Sequence, residues 1–160
     1  MSRFHVMAAS VATLLVATFF ASTALVETFG AAAQVAAVKT AIAWGLLLLV
    51  PAMAGAGASG FALSRGREGP VIARKRARMR LVGALGLCVL APAALFLAYK
   101  ARAGAFDAWF AYAQAIELAA GATNLVLLIL NFRDGLRLTR GRRLRQAARD
   151  HDALARENPP

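Results

Sequence analysis

One carboxylate stands alone in the last apolar stretch of this chain. Between residues 108 and 132 the only Asp, Glu, Lys or Arg is Glu117. Gln114 lies three residues before it, Gly121 four after and Asn124 seven after, so at helical spacing all four share one face. Gln114, Glu117 and Asn124 form a polar stripe on an otherwise apolar helix. An ionised carboxylate in hydrocarbon is costly, so Glu117 has to be protonated or partnered. A group of this kind serves as a proton carrier, a substrate contact or the polar neighbour of a cofactor. The same stripe equally serves interhelical hydrogen bonding that holds a bundle together.

His5 is the second candidate. It falls in the first turn of the first apolar helix, level with the basic start of the third, Lys75-Arg76-Ala77-Arg78-Met79-Arg80. A His and a Met, or a His and a Lys, on facing helices could supply the axial ligands of a haem, with Met79 and Lys75 as the partners of His5. The plainer role for His5 is an interfacial side chain that snorkels. Cys88 is the single cysteine. It cannot form an internal disulfide or a thiolate metal cage, and reads as a small buried hydrophobe. Glu27 and Lys39, near the ends of the first two helices, are expected to pair across a short loop, and Lys100 and Arg102 with Asp107 likewise.

The elements that carry these residues follow from a conflict in composition. Of 160 residues, 59% are hydrophobic and 17% charged, yet the net charge is +11. An ordinary soluble domain is about 45–50% apolar and about 25% charged. Separation along the chain resolves the conflict. Residues 4–26, 40–63 and 81–99 carry no Asp, Glu, Lys or Arg, and 108–132 carry only Glu117. Each run reaches the roughly 20 residues that cross a bilayer and is apolar on all faces. The expectation is an all-α, integral membrane four-helix up-down bundle over residues 1–134, followed by a basic tail, 135–160. The first run follows Arg3 as a signal peptide would, but its apolar stretch exceeds the roughly 7–15 residues of an h-region, so it reads as a retained span.

Charge also predicts orientation. Of 19 Lys and Arg, 16 fall before the first run (Arg3), between the second and third (Arg65, Arg67, Arg74, Lys75, Arg76, Arg78, Arg80) and after the fourth (Arg133, Arg137, Arg140, Arg142, Arg143, Arg145, Arg149, Arg156). The positive-inside rule makes those segments cytoplasmic, so both termini are in. Trp44, Tyr99, Trp109 and Tyr112 fall towards the opposite face, where aromatic rings suit the headgroup level. The basic residues therefore predict anionic lipid headgroups as partners. Nucleic acid is not expected, since the arginine-rich tail lacks stacking aromatics and no binding module is present.

The second run is built for close approach: Gly55 and Ser59, and Ala56 and Gly60, are small residues four apart. Pro51 and Pro92 are expected to kink their helices. The similar Leu49-Val50-Pro51-Ala52 and Leu90-Ala91-Pro92-Ala93 hint at an inverted repeat. There is no GxSxG, P-loop, zinc motif or pair of catalytic carboxylates, so the balance leans against an enzyme.

The text Arg3-Phe4-His5-Val6-Met7-Ala8-Ala9-Ser10, Val38-Lys39, Pro51-Ala52-Met53-Ala54, Arg78-Met79, Ala105-Phe106-Asp107, Glu117 to Leu125 and Asn131 to Leu136 resembles uncharacterised small four-span inner-membrane proteins of proteobacteria. This implies a multi-pass protein of the bacterial inner membrane. More distantly, His5, Pro51 and Gly57 or Gly60 resemble the four-helix copper-resistance-D and protoporphyrinogen-oxidase-like membrane proteins. That resemblance implies haem b at His5, with Lys75 or Met79. Three functions follow as expectations. The first is a non-enzymatic packing or accessory protein, as a homo-oligomer or in a larger membrane complex. The second is a haem-binding redox protein using His5, and the third a small proton-coupled transporter using Glu117.

Overall fold

A computed structural model describes residues 3–65 and 69–157, with side chains of 136–157 and of positions 64, 70 and 71 outside the description. Among the described residues the chain is all helical and has no strand. The elements are α1 (Arg3–Phe29), α2 (Ala32–Ser64), α3 (Pro70–Ala84), a π-helical segment (Leu85–Leu90), α4 (Ala91–Arg102) and α5 (Ala108–Glu157). Because α3, the π segment and α4 follow without a break, they make one rod. Four stretches are long and apolar enough to cross a membrane: Arg3–Phe29, Ala32–Leu63, Ile72–Arg102 and Ala108–Gly135. The shortest, 27 residues, extends about 40 Å at 1.5 Å per residue, more than the roughly 30 Å of hydrocarbon.

These helices outrun the charge-free runs that announced them. The segment 27–39, expected to be a loop, is helical except at Gly30 and Ala31. There the Gln34 Oε1 accepts the Ala31 N–H at 2.8 Å and caps α2. Lys39 thus lies seven residues, about 10 Å, inside a helix. The basic segment 70–80 is likewise the first part of α3, and α5 carries the expected tail as helix to Glu157.

The bundle is inverted relative to a soluble protein. Its exposed side chains include Met7, Leu14, Leu47, Leu87 and Ile116, while Thr23, Lys39, Gln114, Glu117, Asn124 and Asn131 are buried. Lys39 is the largest fully buried side chain among the described residues. Hydroxyls on the apolar rods are satisfied locally: Thr13, Thr28 and Thr123 each donate to the carbonyl four residues back, at 2.8, 2.8 and 2.9 Å. Trp44, Tyr99, Trp109 and Tyr112 are all exposed.

Helix α1 packs most extensively on α2 and also touches α5, and α2 packs on α4. The α1–α2 seam is cut from glycine. A Cβ on Gly45 would sit 2.4 Å from Cζ of Phe19, and one on Gly60 would sit 3.0 Å from Cε1 of His5. The small residues of α2 therefore face its neighbour α1: Gly55 lies under Phe4 and Ala8, Ser59 and Gly60 meet His5, and Ala56 is buried. Two apolar clusters flank the polar core. Ala12, Val16, Leu49, Val82 and Leu128 form one, and Val35, Leu97, Ala101 and Phe110 the other.

The two prolines behave differently. Helix α2 continues as α-helix through Pro51. Pro92 instead follows the π segment, in which the Ala91 N–H bonds the Gly86 carbonyl five residues back. Proline lacks an N–H and its ring clashes with the carbonyl four residues earlier, so the wider π turn before Pro92 relieves both demands. The local likeness of the two proline segments is not matched in backbone geometry. Cys88, expected to be buried, is exposed on this segment. A residue's face is set by helical phase, and the π segment shifts that phase.

Candidate functional site: a buried lysine bonded to a glutamate across helices

The polar stripe of α5 finds its partner on α2. Lys39 Nζ donates to Glu117 Oε2 at 2.5 Å and lies 3.5 Å from Thr23 Oγ1 of α1. Gln114 Nε2 donates to the same Glu117 oxygen at 3.3 Å. The ammonium is 0% exposed and Glu117 9%. Three of the four membrane-length helices therefore meet at one charged contact. The positions follow from the local sequence. Ala32-Ala33-Gln34-Val35-Ala36-Ala37-Val38 offers small side chains along which the long Lys39 stem can lie. Gln114 and Glu117 share a face of α5 through their i, i+3 spacing.

This corrects the expected pair. Lys39 bonds Glu117, 78 residues away in the chain, and not Glu27 across the α1–α2 turn. The reason is depth: α2 starts at Ala32, so Lys39 points into the core, while Glu27 is two residues from the end of α1. Glu27 is half-buried and within Coulombic reach of both Lys39 and Glu117. Its Oε1 is buried with no hydrogen-bond partner among the described residues, and so is the Oε1 of Gln114. Searching for a cation wherever an intramembrane carboxylate occurs could have found this pair. The search fails when a lysine seven residues inside a helix is read as a loop residue.

Asn124 is on the expected face but does not join the cluster. It is fully buried beside Gly86 of the π segment, and both polar atoms of its amide lack a partner among the described residues. The next buried amide along α5, Asn131, donates to Met79 Sδ at 3.2 Å. Below it Arg78 bonds Asp134 at 2.7 Å.

The proposed haem ligands do not fit a haem as the structure arranges them. His5 is turned into α2, with Nδ1 3.0 Å from Ser59 Oγ and a further bond to the Ala56 carbonyl. Ser59 donates its own proton to the Gly55 carbonyl, so His5 donates to Ser59. The Met79 sulfur is engaged from α5 by Asn131, and Lys75 lies within Coulombic reach of Asp134 as well as of His5. An apolar crevice of about 60 Å3 does lie among the helices, lined by Phe19, Phe20, Leu46, Leu90 and Gly121 and ending on Thr23 and Glu117. None of His5, Lys75 and Met79 lines it. No group of three or more His, Cys, Asp or Glu suited to a metal occurs among the described residues.

The expected outer pair is present: Lys100 Nζ donates to Asp107 Oδ2 at 2.5 Å, and Asp107 Oδ1 accepts the Phe110 N–H at 3.1 Å, capping α5. Gly104, at φ 68°, makes the turn before it in a conformation open to glycine. These contacts hold the exposed Asp107 carboxyl below its ordinary range, chiefly through the Lys100 bond. No protein-family model, no curated protein and no solved structure matches this chain.

Proposed function

We propose that the chain is a multi-pass protein of a bacterial inner membrane that acts by packing, with a second copy or within a larger membrane complex, and not as an enzyme. What supports this reading is the Lys39–Glu117 contact. The charged groups inside the bundle bond each other across helices, so the molecule offers its surroundings an apolar exterior and a cationic end. Buried pairs of this kind are best understood as fixing which helices meet and in what register.

In this reading the rods run up and down, with the two-residue Gly30–Ala31 turn and the short 103–107 connection joining antiparallel neighbours. Both termini are cytoplasmic, together with the basic segment that opens the third rod. Those cations meet anionic lipid headgroups, each contributing about 1 kcal/mol near the surface. The small residues of α2 are occupied by α1, so a partner would meet the outer apolar surface formed by residues such as Leu47, Leu87 and Ile116.

Crosslinking in native membranes tests the reading. A self-dimer or one reproducible membrane partner is expected. A protein that remains monomeric and uncrosslinked at native abundance contradicts it.

A further inference from the structure

The charged cluster does not balance. Lys39 of α2 bonds Glu117 of α5, and Glu27 of α1 lies within Coulombic reach of both without a bond to either, so two carboxylates face one ammonium. The remaining rod, α3 to α4, does not supply the missing cation. On α4, Lys100 is bonded to Asp107 and Arg102 is exposed at the helix end. Thr23 and Gln114 are neutral. With every group in its usual state the cluster carries one excess negative charge, in surroundings where an uncompensated charge is strongly disfavoured.

The hydrogen bonds show the same shortage. Lys39 and Gln114 both donate to Glu117 Oε2. Two acceptors, Glu27 Oε1 and Gln114 Oε1, are buried without a donor among the described residues. A single proton supplies both what the charge count lacks and one of the missing donors. Glu117 already accepts the ammonium and the Gln114 amide at Oε2. Glu27, which has no such bond at Oε1, is the group to carry the proton.

From this juxtaposition we infer that the cluster is a proton-binding site: at neutral pH it holds one exchangeable proton, on Glu27, while Glu117 keeps its bond to Lys39. The step is simple in balance: a carboxylate oxygen of Glu27 takes a proton from water to become the acid, and returns it to water on release. Exchange occurs at Glu27 because that residue is half-buried and two residues from the end of α1, whereas Lys39 is sealed. The inference goes beyond the packing reading and stands whether or not a partner is found.

Infrared spectroscopy of the full chain in vesicles, titrated with pH in sodium and in choline buffers, tests it. The exposed Asp107 carboxyl is held below its ordinary range, so it does not obscure the signal. One protonated carboxyl per chain is expected at neutral pH in either buffer. It disappears in Glu27→Gln and also in Glu117→Gln, where Glu27 becomes the sole counter-ion of Lys39. In Lys39→Met the count rises to two. No protonated carboxyl at neutral pH in the natural chain overturns the inference, as does one unchanged by Glu27→Gln. A band that appears only when sodium is removed overturns it in favour of a bound cation. Should Lys39→Met fail to fold, the natural chain and Glu27→Gln decide alone.

Discussion

Two ion pairs tie α5 to its neighbours, and they have the same chemistry in different surroundings. At one end Lys39 meets Glu117 at 2.5 Å, with the lysine side chain 0% exposed and the glutamate 11%. Towards the other end Arg78 meets Asp134 at 2.7 Å, with the side chains 19% and 21% exposed. The first pair is surrounded by Thr23, Gln114 and apolar helix faces. The second stands among the basic residues that open α3. The difference shows that in an apolar bundle the energetic weight of a pair is set by what happens when one partner is lost. Where water can reach, a lone charge is rehydrated. Where it cannot, the lone charge has to be neutralised or the helices have to part.

Substitutions that leave one partner behind should separate the two pairs. The largest effect is expected for Lys39→Met, which leaves Glu117 and Glu27 without a cation. About 3–5 kcal/mol of stability is lost near neutral pH, as for a broken buried pair. Thermal unfolding in detergent would read this as a large drop in Tm at neutral pH, shrinking as the pH falls towards about 4, where the carboxyls of the unfolded chain take up protons too. Glu117→Gln should cost less, since Lys39 keeps Glu27 nearby. Arg78→Ala comes next, at no more than about 1 kcal/mol, and the effect should fade with added salt because a partly exposed pair is screened.

The smallest effect belongs to the outermost pair. The Lys100 bond, followed by the Phe110 amide, holds Asp107 below the ordinary 3.8 of an aspartate. A depressed folded value stabilises the fold above the unfolded one, so this contribution is complete at neutral pH. It is lost as the pH falls from about 3.8 through the lowered folded value. Asp107→Asn should flatten that acid limb of the unfolding curve and leave the neutral region nearly unchanged.

What could be read from the sequence was governed by charge and hydropathy. The four rods are visible as neutral runs because a bilayer-length helix tolerates few charges. Their ends differ where a charge is internal: the neutral run starts only after Lys39, whereas α2 starts at Ala32, because the partner of Lys39, Glu117, belongs to another helix 78 residues on. The stripe on α5 was legible from spacing, and Glu117 was recognised as needing a proton or a partner. Which partner it takes depends on how α2 packs against α5, which no local pattern encodes. Glu27 was read as half of a surface pair, since burial at the end of a helix is a tertiary property. Cys88 was misplaced because the π segment before Pro92 alters the helical phase that sequence spacing assumes to be constant.

The central claim is that Lys39 and Glu117 act as one unit that fixes α2 against α5. A double-mutant cycle of Lys39→Met and Glu117→Gln, read by reversible unfolding of the full chain in a mild detergent, tests it most directly. The account predicts a coupling of about 2–3 kcal/mol, with the double variant recovering much of what Lys39→Met loses. Additivity of the two single effects to within about 0.5 kcal/mol would contradict it.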